Sequence, residues 1–152
     1  MLGPAGHPKL ARSNKGTPSM RFLHFLPAAL LAGFLSLQGA ASARAATVAP
    51  FTEQAFKSAQ ANGQPILIDI SATWCPTCAQ QKPIIDSLAA TPAFAKLVIL
   101  HVDFDTQKDV VRVLGARMQS TLIVFHGATL KGVSVGDTDP ESIKALLDKS
   151  QG

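Results

Sequence analysis

Cysteine is scarce in this chain of 152 residues: there are two, Cys75 and Cys78, three positions apart. A bridge between them would close a loop too short to staple a fold. That excludes the disulfide framework on which many small exported domains rely. Soft metal ligands are scarce too. Beyond residue 45 only His101 and His126 could join the two sulfurs, and neither lies at metal-ligand spacing to a neighbour. Structural zinc usually takes four ligands, so a zinc site within one chain is not expected. A metal or cluster held by the two thiolates, shared between two chains, is an alternative. Acidic residues are missing from the first third: all ten lie beyond position 50, whereas Lys9, Arg12, Lys15, Arg21 and Arg44 precede it. The formal net charge of +4 is therefore a property of the leading segment, since nine basic and ten acidic residues follow it. Nothing in that balance calls for nucleic acid or an acidic membrane surface as partner. Internal repeats and low-complexity tracts are also absent.

The leading segment has an organisation of its own. Met20-Arg21 precedes an apolar stretch from Phe22 to Leu37, interrupted by His24, Pro27, Gly33 and Ser36. Small residues follow, Gly39-Ala40-Ala41-Ser42-Ala43-Arg44-Ala45-Ala46. A basic start, an apolar middle and an A-x-A site describe an export signal. The cut is expected after Ala45, or alternatively after Ala43. The apolar stretch is shorter than the roughly 20 residues a membrane span needs, so cleavage is expected and a retained membrane anchor is the alternative. Met20 is itself a suitable start, which leaves translation of residues 1–19 open. Residues 1–45 are thus assigned to a leader and 46–152 to one domain, long enough for a single core. The expected location is the periplasm.

The two cysteines lie in Trp74-Cys75-Pro76-Thr77-Cys78. An apolar run, Ile66-Leu67-Ile68-Asp69-Ile70, reads as a buried strand before them. Ala79 to Ala89 reads as a helix after them. The first sulfur would then stand at a helix N-terminus, where free N–H groups and the helix dipole favour the thiolate. The second is close enough to close a small disulfide ring. This arrangement points to redox chemistry.

Around it the chain alternates. Val48 to Phe51 reads as a short strand, and Thr52 to Ala61 as a helix capped by Thr52 and ended by Asn62-Gly63. Pro65 precedes the central strand, 66–71. The helix after the cysteines runs to about Ala90, with Pro83 expected to bend it. Leu97 to Asp103 is a strand, and Gln107 to Leu114 a helix stopped by Gly115. Thr121–Phe125 and Lys131–Val135 form a hairpin across His126–Thr129. Pro140 to Lys149 closes the chain as a helix with Asp139 as N-cap. This order predicts an α/β fold, a mixed sheet of four to five strands with helices on both faces.

These features together resemble the thioredoxin family, over about residues 48 to 150. The likeness rests on Ile68-Asp69-Ile70 leading into Trp74-Cys75-x-x-Cys78, on Pro83 in the following helix and on Asp103-Phe104-Asp105 ending the next strand. Thr121-Leu122 and Val135-Gly136 complete it. The resemblance implies a thioredoxin-like fold and dithiol–disulfide exchange without a bound organic cofactor. It implies Cys75 as an exposed nucleophile and Cys78 as the more buried resolving thiol. Asp69 is implied to accept the Cys78 proton. Substrate contacts fall to Trp74, Pro76, Thr77, Gln119, Ser120, Thr121 and Gly136. Disulfide-containing proteins are the implied substrates, a membrane thiol donor the implied source of electrons, and a monomer the expected state.

Departures from the family pattern accompany the likeness. C-P-T-C replaces the commonest C-G-P-C, and Thr77 brings a hydroxyl but no positive charge. Ser71 and Ala79 replace a common Trp and Lys, and His101 stands where a Lys often lies near the buried acid. Ser120 occupies the place of the family's cis-proline. Without that ring the site is expected to be more open, with a hydroxyl near the sulfurs. The leading expectation is an exported reductant of protein disulfides. A net oxidant of exported proteins and a thiolate metal or cluster module are the alternatives.

Overall fold

The computed structural model describes residues 45–152. The expected leader, its cleavage sites and the alternative membrane anchor lie outside the described residues. The order of elements is that expected: β1 (Thr47–Pro50), α1 (Glu53–Ala61), β2 (Pro65–Ser71), α2 (Pro76–Ala89), β3 (Val98–Asp103), α3 (Lys108–Val113), β4 (Thr121–His126), β5 (Thr129–Val135) and α4 (Pro140–Asp148). Single 3-10 turns follow α2, at Pro92–Phe94, and α4, at Lys149–Gln151. Among the described residues no helix is long and apolar enough to cross a membrane.

The strands form one five-stranded sheet in the order β1-β3-β2-β4-β5. Pairing is parallel between β1 and β3 and between β2 and β3, and antiparallel between β2 and β4 and between β4 and β5. β2 is buried from Pro65 to Ile70, as an apolar strand covered on both faces should be.

Alternation along the strands decides what faces what. Ile66, Ile68 and Ile70 pack with Val98, Leu100, Val102 and Val111 in one core. Leu67 and Ile99 point the other way, to a core with Ile85 and Ala89 of α2 and Ile143 and Leu147 of α4. By the same parity Asp69 and His101 fall on the α2 face, and the register sets them side by side. The site is thereby placed between the sheet and the start of α2.

Local capping follows the expected chemistry. The Thr52 side chain accepts a hydrogen bond from the Ala55 N–H at 3.1 Å, and Asp139 accepts one from the Ser142 N–H at 2.8 Å. Pro76 takes the first position of α2, where no N–H is needed. Pro83 sits within the same helix and leaves the Ala79 carbonyl without its usual partner. The hairpin differs from expectation. β5 begins at Thr129, two residues earlier, because an irregularity opposite Val124/Phe125 absorbs Lys131 and restores pairing beyond it.

Candidate active site

Cys75 is the N-cap residue of α2, in extended conformation with φ −85° and ψ 111°. Its own N–H donates to the Ala72 carbonyl at 3.1 Å. Its sulfur accepts the Cys78 N–H at 3.0 Å. An N-cap oxygen usually takes this orphan donor; here a sulfur does. Cys75 and Cys78 are bonded to each other, with Cα atoms 5.3 Å apart.

Both cysteines are buried, Cys75 at 3% exposure and Cys78 at 8%. The expected contrast between an exposed first and a more buried second cysteine is therefore not found in this oxidised form. The physical reason is coverage: Ala72 and Phe104 pack against the pair, and Ser120 lies directly on it. The Ser120 hydroxyl is 3.0 Å from the Cys75 sulfur and 3.3 Å from that of Cys78. The expected opening of the site at the missing proline is corrected by the same contact, since Ser120 itself is 4% exposed. What distinguishes the sulfurs is their donors, for only Cys75 receives a helix N–H.

Behind the disulfide lies an open depression of about 670 Å³, lined among others by Asp69, Cys75, Cys78, Lys82, His101 and Asp103. Asp69 is buried at 6% exposure, and its Oδ2 lies 2.9 Å from His101 Nδ1. That hydrogen bond holds the His101 pKa above its ordinary value, against the opposing effect of partial burial.

Trp74 is 59% exposed and is tethered by its indole N–H, which donates to Asp105 Oδ2 at 2.7 Å. The Asp103–Thr106 turn supports that tether. Asp103 Oδ1 accepts the N–H groups of Asp105 and Thr106 and the Thr106 hydroxyl at 2.8–3.0 Å. The bonds from Thr106 lead in holding the Asp103 carboxyl below its usual pKa. Pro76 is exposed and Thr77 half-buried at the start of α2. Gln119 is half-buried and Thr121 buried, and the Thr121 hydroxyl donates to the Met118 carbonyl at 2.7 Å. Gly136, with φ 71°, follows β5 and donates its N–H to the Ser120 carbonyl at 2.8 Å. A Cβ added there would meet nothing within 4 Å, so its backbone angle, and no neighbour in the chain, calls for glycine. The fold thus gathers the N-terminus of α2, the start of β4 and the end of β5 around one disulfide.

Gln81 was not among the residues singled out from the sequence. It is buried at 1% exposure, and its amide N–H₂ donates to the carbonyls of Ser120 at 3.3 Å and Asp137 at 2.8 Å. A signal for it existed. Cys78, Gln81, Ile85 and Ala89 form the buried stripe of α2, and Gln81 is the one amide on it.

A disulfide at a helix N-terminus, with a buried carboxylate lining the space behind it, is the site of a thiol–disulfide oxidoreductase. Comparison with known proteins agrees. The Thioredoxin family model matches residues 47–149. A thioredoxin of Malassezia sympodialis is 29% identical over 92 residues, covering 60% of this chain and 87% of that protein. The crystal structure of Trxlp from Edwardsiella tarda superposes with a TM-score of 0.65 at 38% identity, covering 66% of this chain and 98% of the other. A crystal structure of Malassezia sympodialis thioredoxin gives 0.61 at 26% identity, covering 71% and 95%. The chain belongs to the thioredoxin family, and its substrates are, in general terms, proteins that contain disulfides.

Proposed function

We propose that this protein is an exported reductant of protein disulfides, working through Cys75 and Cys78. The observation that carries the assignment of roles is the Cys78 N–H on the Cys75 sulfur at 3.0 Å. A helix N-terminal donor favours the thiolate of the residue it touches. The Cys75 thiolate attacks a substrate disulfide, forming a mixed disulfide and expelling one substrate thiolate. Cys78, losing its proton to Asp69 directly or through water, attacks the Cys75 sulfur. That step forms the Cys75–Cys78 disulfide and expels the second substrate thiolate. Two electrons pass to the substrate, whose thiolates take protons from solvent.

Trp74, Pro76, Thr77, Gln119 and Gly136 form the rim over which the substrate chain lies, with Ser120 and Thr121 buried beneath it. A membrane thiol donor restores the dithiol, and the protein works as a periplasmic monomer after cleavage near Ala45. The reduction potential against glutathione tests the direction. A value near −270 mV supports the reductant, and one near −120 mV replaces it with a net oxidant. Trapping the thiols in intact cells tests the direction independently: a mostly reduced pair supports the proposal, and a mostly oxidised pair opposes it.

A further inference from the structure

Ser120 has the backbone of a residue that should have been glycine. Its φ is 58°, the only positive value at a non-glycine position among the described residues. Serine enters this region only against a steric penalty that glycine does not meet, and such a residue persists where its surroundings over-determine it. Those surroundings are visible. The Ser120 carbonyl is gripped from two sides, by the Gly136 N–H at 2.8 Å and the Gln81 amide at 3.3 Å. Gln81 is itself anchored on the Asp137 carbonyl. The start of β4, the end of β5 and helix α2 thus converge on one peptide.

The result is a buried hydroxyl whose hydrogen-bond partners are the two cysteine sulfurs, at 3.0 and 3.3 Å. Sulfur in a disulfide is a weak acceptor. A thiolate is a charged one, and hydrogen bonds to charged groups are roughly twice as strong as those between neutral partners. The hydroxyl therefore gains most when a cysteine is negative. Together with the Cys78 N–H it gives Cys75 two donors from different elements.

We propose that Ser120 is a third catalytic residue, its hydroxyl donating to whichever active-site sulfur carries the negative charge. In the reduced protein it donates to the Cys75 thiolate. Once Cys75 is joined to substrate, the hydroxyl turns to the Cys78 thiolate formed by proton loss. It is not consumed and loses no proton of its own; the bonds made and broken are those of the exchange described above. The proposal rests on Cys75 being the nucleophile.

The test is the pH dependence of iodoacetamide labelling in the reduced full chain, with the labelled cysteine located by mass spectrometry. Parent, Ser120→Ala and Ser120→Gly are compared. Both variants remove the hydroxyl, but glycine also relieves the backbone angle, so a folding defect cannot imitate the effect in both. The labelling midpoint of Cys75 is expected to rise by about one pH unit in each, a tenfold loss of thiolate below it. The reduction potential should become more negative, by about 30 mV for each tenfold change in the exchange equilibrium. Unmoved midpoints in Ser120→Gly overturn the proposal while leaving the nucleophile assignment intact. Labelling of Cys78 ahead of Cys75 in the parent overturns that assignment, and the proposal with it.

Discussion

Asp69 and His101 stand side by side on adjacent parallel strands, joined at 2.9 Å between Oδ2 and Nδ1. The acid is buried, and the imidazole, with 37% of its side chain exposed, reaches solvent. The imidazole thus links the buried acid behind the disulfide to water.

The pair makes stability depend on pH in a defined sense. The hydrogen bond to Asp69 raises the His101 pKa in the folded protein above 6.5, outweighing desolvation. A raised histidine stabilises the fold fully below its unfolded value and loses that contribution as pH rises through its folded value. Thermal midpoints should therefore favour the parent over His101→Asn more at pH 5.5 than at pH 8.5. A constant difference between the two proteins would remove the ion pair from the account.

Asp69→Asn is expected to slow the resolving step, with a smaller effect on capture of substrate. General-base assistance is worth roughly 10²–10⁴-fold. Rapid-quench measurement of mixed-disulfide decay at neutral pH reads this directly, and an unchanged decay rate would take Asp69 out of the mechanism.

Cys75→Ser should abolish exchange, whereas Cys78→Ser should accumulate mixed disulfides with substrate proteins. Non-reducing electrophoresis after incubation with a disulfide-bonded substrate distinguishes the two. Accumulation in Cys75→Ser instead would reverse the roles of the sulfurs.

Gln81→Leu removes both grips of a buried amide and leaves the Asp137 carbonyl without that donor. The expected loss is about 1–3 kcal/mol, moderated because Gln81 Oε1 has no partner to lose. Urea unfolding measures it; a variant as stable as the parent would show the clamp to be dispensable.

Gly132→Ala should destabilise the packing of β5 on α4. An added Cβ would come within 2.9 Å of Leu146 Cδ1, and overpacking of this kind costs about 1–3 kcal/mol. The same urea titration checks it, and no change would mean that the flexible leucine moves aside.

Much of this architecture was legible in the chain because it rests on local signals. Thr52 and Asp139 announce helix starts by side chains that can accept an N–H, and both do so. The apolar run at 66–70, interrupted by Asp69 alone, signals burial on both faces, which the sheet supplies. The burial of Cys75 was not legible, since it depends on Ser120, which is 45 positions away in sequence and is brought to its sulfur only by its place directly before β4. The left-handed backbone of Ser120 was hidden for a related reason: serine carries no mark of a positive φ, and the cause lies in Gly136 and Gln81. Gln81 showed its spacing but not its purpose, because its partners are backbone carbonyls of distant segments.

The border strands of the sheet have a consequence for behaviour in a crowded solution. β1 is four residues long and ends in Pro50, which offers no N–H to a newcomer. β5 exposes Leu130, Val133 and Val135, an invitation to aggregation if it were flat and regular. It is neither, since Lys131 is bulged out of register opposite Val124/Phe125, and a charged bulge twists an edge away from further pairing. Both margins thus discourage a second copy from extending the sheet.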